Sequence, residues 1–401
     1  MVVPENSSRK NSIGLHGSEV RGTNQSGMRA RNERLVLSLV RRHQALAKSE
    51  IARMTGLSAQ TVSVIMRLLE KDGLLLRGEP VRGKVGQPSV PMRLNPDGAF
   101  FFGLKVGRRS TELVLTDFVG NVRQRERRTY DYPTPKATLE FSTESLGKMI
   151  SSMPPEAKGR IAGLGIAMPF YLWDWAQTLQ VPQEEMDPWR VSDLKADLAR
   201  RLDIPVFLQN DATAACGAEL VFGPADGPRD FLYFYIGFFI GGGVVLNGAI
   251  FSGRGNSGAI GPLPVPDDVG GVRPLIDVAS LYVLERAITT AGVTSHSIWE
   301  TTQRWDVPKV QLENWLKQTA SGIAYAIVSS CSLIDFECVK IDGWMPQDIK
   351  ARLVEMVEDK LSELNLTGLE RPAVLAGTVG PEARSLGAAS LPLSERYLSE
   401  A

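Results

Sequence analysis

Two groups of residues have types and spacing that could do chemistry. The first is Ser58, Gln60, Thr61, Ser63 and Arg67, in a window whose apolar residues Val62, Ile65, Met66 and Leu69 recur at helical spacing. A glutamine can bond adenine through two hydrogen bonds, hydroxyls can reach base edges or phosphates, and an arginine one turn on suits a phosphate. The second is Asn210-Asp211, at the end of the apolar run Ile204–Leu208. A neighbouring amide and carboxylate can bond adjacent hydroxyls of a polyol. The same pair also suits the cap of the helix expected over 212–220, and the sequence leaves both roles open.

The first group needs a scaffold, and the flanking residues supply one. Asn32–His43 carries Leu35, Val36, Leu39 and Val40 on one helical face. Ser49 is the expected cap of a short helix over 50–54. Gly56 within Thr55-Gly56-Leu57 makes a tight turn, Ser58 caps the next helix, and Asp72-Gly73 ends it. Helix, glycine turn and helix form a helix-turn-helix, whose second helix enters the major groove. Leu74–Leu76 and Val90–Leu94 read as strands around a Gly/Pro-rich loop that carries Arg82 and Lys84, a wing able to track a phosphate backbone or enter a minor groove. A wet helix face and an ordinary hairpin are the plainer alternatives.

Charge agrees with a nucleic-acid partner. The 401 residues hold 45 Lys/Arg and 45 Asp/Glu, net zero. Residues 28–94 hold 13 bases and 5 acids, net +8, so the remainder is acidic. A basic module on an acidic body is the footprint of a DNA-binding protein. No apolar run approaches the roughly 20 residues of a membrane span. Residues 1–28 are polar, without a signal-peptide core, and read as a disordered tail. Cys216, Cys331 and Cys338 have no paired spacing and read as reduced thiols of a cytoplasmic protein. From Phe100 onward, apolar runs alternate with helical patterns, as in an α/β body. No repeat of the solenoid kind is visible.

Several segments of this body resemble, in order, the ROK family of sugar kinases and sugar-responsive repressors. They are Gly163-Leu164-Gly165-Ile166-Ala167-Met168-Pro169, Trp189 followed by Pro205-Val206, Asn210-Asp211-Ala212-Thr213-Ala214-Ala215 with Gly217 and Glu219, Gly241–Gly248, and Gly387-Ala388-Ala389. Gly83–Pro88 is similar to the linker of the family's repressors, with Gln87 where arginine is usual. The resemblance implies an α/β fold: a winged helix-turn-helix over 29–95, then a two-lobed, actin-like and ribonuclease-H-like body over 96–401. It also implies a homodimer or homotetramer, an inverted-repeat operator in double-stranded DNA, and a sugar-type effector near Met168, Pro169, Asn210 and Asp211. Ser58, Gln60, Thr61, Ser63, Arg67, Arg82, Lys84 and Gln87 are the expected DNA contacts.

The departures from the family pattern bear on activity. Lys105-Val106-Gly107-Arg108-Arg109-Ser110 stands where the family's kinases have Asp-x-Gly-Gly-Thr, and Gly237-Phe238-Phe239 where they have Gly-Thr-Gly. A lysine for the acid removes the usual metal–phosphate partnership, and two phenylalanines spoil a phosphate cradle. Ala259 and Pro262 replace the family's sugar-binding Glu and zinc-binding His, and the cysteine loop of the zinc site is missing. No catalytic residue, metal or cofactor is therefore expected. A body that only dimerises, and an ATP-dependent sugar kinase, are the competing readings. The 312–327 helix, with Trp315, Ile323 and Tyr325, fits either core or a dimer interface.

Overall fold

The computed structural model describes residues 25–80, 89–267 and 270–399. The expected wing contacts Arg82, Lys84 and Gln87 lie outside these residues, as does the tail up to residue 24.

The head begins with helix α1 (Gln25–His43), which starts inside the segment read as tail. It buries Val36, Leu37 and Val40. Helix α2 (Lys48–Thr55) follows, and its first-turn N–H groups are not met by Ser49. Ala47 occupies the cap position and donates its own N–H to the Glu50 carboxylate at 2.7 Å. An acid in the third helical position reaches back and does this work. Gly56 ends α2 with φ +69°, a conformation strained for any side chain. Helix α3 (Ala59–Lys71) is capped by Ser58, whose Oγ accepts the Thr61 N–H at 3.1 Å. Val62, Ile65, Met66 and Leu69 are buried, as their spacing predicts. Strands β2 (Leu75–Arg77) and β3 (Met92–Leu94) pair antiparallel. A two-residue strand β1 (Ala45–Leu46), too short to show alternation in sequence, adds to the other side of β3.

The body has two sheets with one topology. In lobe one, β4 (Phe100–Val106), β5 (Ser110–Asp117) and β6 (Val122–Thr129) form an antiparallel meander. Then β7 (Ile161–Ala167) pairs parallel with β4, and β8 (Val206–Gln209) parallel with β7. In lobe two, β9 (Phe231–Ile236), β10 (Ile240–Leu246) and β11 (Ala249–Ile250) repeat the meander. Here β14 (Cys338–Gly343) and β15 (Ala373–Ala376) add in parallel, with a small hairpin of β12 (Pro264–Pro266) and β13 (Val272–Pro274) between. The spatial orders β6-β5-β4-β7-β8 and β11-β10-β9-β14-β15 correspond strand for strand.

Helix α4 (Pro135–Ser152) covers lobe one through Phe141, Leu146 and Met149. Helix α5 (Asp211–Phe222) leads from lobe one toward lobe two and packs on the closing helix α9 (Ala383–Tyr397). That packing is backbone-close. A Cβ on Gly387 would sit 1.9 Å from the Ala214 carbonyl, and one on Gly165 1.8 Å from that of Ala388. In lobe two, helix α7 (Lys309–Cys331) buries Trp315, Leu316, Ile323 and Ile327 beneath helices α6 (Leu281–Thr290) and α8 (Gln347–Glu363). The apolar face of the 312–327 segment, Trp315 and Ile323 included, lies in the core of lobe two, with Leu312 and Tyr325 half-buried at its edge.

Head and lobe one share one apolar core. Val36, Val40, Leu69 and Leu75 of the head cluster with Ala99, Phe101, Phe118 and Leu393 of the body. Arg41 donates to the Phe118 carbonyl and lies over the Phe118 and Phe222 rings. The Ser399 N–H donates to Ser38 Oγ at 2.9 Å, and Arg160 donates to the Asp97 carbonyl at 3.2 Å beside Gly73.

Candidate nucleic-acid interface and ligand cleft

The start of α3 presents Ser58, Gln60 and Thr61 to solvent, with Arg67 exposed and Ser63 half-buried. Three of these side chains are already engaged. Ser58 Oγ caps α3 and lies 2.8 Å from Thr61 Oγ1, and Ser63 Oγ accepts from Lys48 Nζ at 3.3 Å. Gln60 and Arg67 are the side chains left available. The first turns of α1 lie alongside. Met28 and Arg29 line a shallow groove of about 450 Å³ with Gln60, Thr61 and Val64. Lys48, Met28 and Arg29 were not singled out by sequence, because their proximity to α3 is tertiary.

In the body, the ends of β7 and β8 lie side by side. The Met168 N–H donates to the Gln209 carbonyl at 3.1 Å, which brings Met168-Pro169 beside Asn210-Asp211. Ligands of α/β proteins commonly sit at such carboxyl ends of parallel strands. Pro169 is buried, and Met168 packs on the lobe-one core. Asn210, rather than Asp211, is the cap of α5, accepting from Ala212 N–H at 3.0 Å and Thr213 N–H at 3.4 Å. That frees Asp211, the first helical residue, whose Oδ2 accepts from Arg384 Nη1 at 3.3 Å. Arg384 comes from α9, 173 residues away in sequence.

The loop 105–110 between β4 and β5 meets the turn 237–239 between β9 and β10. Lys105 is buried and donates from Nζ to Ser110 Oγ at 2.8 Å. Burial, reinforced by Arg384, lowers its pKa to about 7, with Glu112 and Asp211 opposing. Arg108 is 7% exposed. Its guanidinium carbon lies 4.0 Å from the Phe239 ring centre and 4.8 Å from that of Trp175. Burial lowers its pKa to about 9. Trp175 and Phe239 meet at a tilt of 35° with centroids 3.9 Å apart, and Phe238 lies 5.6 Å from Trp299 and 5.9 Å from Tyr282. These rings join lobe one to lobe two where the turn would otherwise be open.

Trp189 is buried and donates from Nε1 to the Pro133 carbonyl at 2.9 Å, a packing role. Trp173 meets Tyr171 and Arg190 nearer the surface. Ala259 and Pro262 are exposed. Among the described residues, no group of three or more His, Cys, Asp or Glu side chains is placed to hold a metal ion. No described helix is long and apolar enough to cross a membrane.

A winged helix-turn-helix on a two-lobed sugar-kinase-type body defines the class of protein. The ROK family model matches residues 101–395, and a winged helix-turn-helix DNA-binding model matches 29–75. The chain belongs to the ROK family. It is 27% identical over 235 residues to the xylose repressor of Bacillus subtilis, a match spanning 58% of this chain and 60% of that repressor. The crystal structure of a ROK family transcriptional regulator, a homolog of the E. coli MLC protein, superposes with a TM-score of 0.65 at 20% identity, covering 92% of this chain and 97% of that one. A ROK family glucokinase from Streptomyces griseus, in complex with glucose and AMPPNP, gives 0.58 at 20% identity, over 73% of this chain and 99% of that one. At these identities the two structures establish the fold.

Proposed function

We propose that this chain is a DNA-binding transcription repressor whose body senses a sugar or sugar-derived effector and performs no phosphoryl transfer. The observation that carries the reading is the exposed start of α3, with Gln60 and Arg67 free to meet DNA on a head that shares its core with the body. The partner is double-stranded DNA in the cytoplasm, bound at an inverted repeat by a homodimer or homotetramer, since two-fold proteins match two-fold operators. Gln60, Thr61 and Ser63 read the major groove. Ser58 orders the helix start, and Arg67 and the wing residues Arg82, Lys84 and Gln87 hold the backbone. Effector held by Asn210, Asp211, Met168 and Pro169 changes how the lobes sit, and with them the spacing of the two reading helices.

Phosphoryl transfer is set aside because Lys105 stands in for an acid and Phe238-Phe239 fill the turn with rings. One observation favours a second reading, in which the body is a dimerisation scaffold without an effector: Arg384 already occupies Asp211. Selection of operator fragments from genomic DNA, followed by gel-shift titration with a sugar panel, tests both. Release of DNA by one sugar supports the sensor. Failure to select any sequence refutes the regulator. ADP release over the same panel would refute the loss of kinase activity.

A further inference from the structure

The cleft contains more buried positive charge than its own acids balance. Lys105, Arg108 and Arg384 are all nearly buried, and Arg384 lies close enough to act on the charge of both Lys105 and Arg108. Arg384 is bonded to Asp211. Glu112, the other acid acting on Lys105, is bonded to Arg125 at 3.1 Å. Arg127 acts on Lys105 as a further cation, and Arg109 is turned to Glu285 at 3.8 Å. That leaves Lys105 with a hydroxyl for its partner. Among the described residues Arg108 has no hydrogen bond or ion pair: it lies against the faces of Trp175, Phe238 and Phe239, its buried Nε is unmet, and the one carboxylate that acts on its charge, Asp211, is already bonded to Arg384. The buried Nε of Arg384 is unmet too.

A buried cation without an ion-pair partner of its own is costly, and a fixed fork of N–H donors matches a carboxylate or phosphate. Arg108 lies over Phe239, whose carbonyl accepts the Gly237 N–H at 3.3 Å, Gly237 faces Arg384, and Asp211, bonded to Arg384, acts on the charge of both Lys105 and Arg108. The hydroxyl-binding pair Asn210-Asp211 and the unmet cations therefore form one site.

We propose that the effector is anionic, a sugar acid or sugar phosphate, with its charged group held by Arg108, Lys105 and Arg384 and its hydroxyls by Asn210 and Asp211. This rests on the effector reading above and narrows it. A neutral sugar would leave the cations as they are, whereas an anion supplies the missing acceptors.

The test is calorimetric titration of the full chain, without DNA, using matched ligands: D-xylose with D-xylonate, and D-glucose with D-gluconate and D-glucose 6-phosphate. Inorganic phosphate serves as the bare anion. The expected result is that one charged ligand binds at least about ten-fold more tightly than its neutral partner, the scale of one charge-assisted hydrogen bond. The carboxylate and phosphate arms show which anion is preferred. Arg108→Leu and Lys105→Met should each erase about ten-fold of that preference. Both remove an unmet charge and so should fold, as circular dichroism would verify. Equal affinity for charged and neutral ligands, binding of none of them, or an anion preference untouched in both variants overturns the proposal. A neutral sugar that binds tightly and releases DNA would overturn it while leaving the regulator standing. A chain that binds the anion but selects no DNA would do the reverse.

Discussion

Replacing Lys105 with methionine should stabilise the protein, by an amount that depends on pH. In the fold this amine is buried and meets Ser110 Oγ, with Arg384 and Arg127 against it and Glu112 and Asp211 in its favour. Its pKa falls from the ordinary 10.5 to about 7. At 1.36 kcal/mol per tenfold change, holding the charged form inside costs about 5 kcal/mol. Below pH 7 the amine is protonated in both folded and unfolded chains, and the whole cost is present. Between pH 7 and 10.5 only the unfolded chain binds the proton, so the cost shrinks as pH rises. At pH 9 about 2 kcal/mol remains on the same scale. Methionine keeps the volume, removes the charge and forgoes one hydrogen bond worth about 1 kcal/mol. The variant should therefore gain about 3–4 kcal/mol at pH 6 and about 1 kcal/mol at pH 9. Urea unfolding of both proteins at the two pH values measures this directly. A variant less stable than the parent at pH 6, or a difference that does not narrow toward pH 9, would refute the picture of a charged lysine held without a counter-ion.

Gln60→Ala should weaken binding to a selected operator by about 5- to 150-fold, the worth of one two-bond base contact, and relax preference at one base pair, as fluorescence anisotropy on substituted sites would show. Arg67→Ala should weaken all DNA alike and lower the slope of log affinity against log salt by about 1. Glu219 is buried, accepts from Lys340 Nζ and the Thr378 N–H, each at 2.8 Å, and ties α5 to lobe two. Glu219→Gln leaves the lysine without its counter-ion and should cost about 3–5 kcal/mol in chemical denaturation, a loss Glu219→Asp should only partly recover. Gly387→Ala should drive a methyl into the Ala214 carbonyl and give a protein that is insoluble or melts at markedly lower temperature.

The head was legible because its signals are local. The Ser58 cap, the Gly56 turn and the Val62–Leu69 stripe each depend on residues a few positions apart, and each is found as its spacing predicts. Ser49 is not the cap because the helix starts one residue before it, at Lys48, with Ala47 in the cap position and the Glu50 carboxylate accepting the Ala47 N–H. Arg41 misled the charge count: it adds to the basic total, yet it is spent on the Phe118 carbonyl and faces the body. In the cleft, Asn210-Asp211 was legible as a pair but the fate of the Asp211 carboxylate was not, since its partner Arg384 comes from a distant helix. The two sheets repeat a pattern of strand pairing rather than of residues, so no repeat was visible in the chain.

The continuous apolar seam between α1 and lobe one has a consequence for how a head of this kind could be exchanged. Residues at opposite ends of the chain, Ser38 and Ser399, bond across it, and Arg41 is anchored by a carbonyl of the body. A reading head joined this way is not a cassette: transplanting one from a relative would require the last turn of the closing helix and the residue-118 turn to travel with it. Where α1 and lobe one share this core, a rotation of lobe one would carry α3 with it.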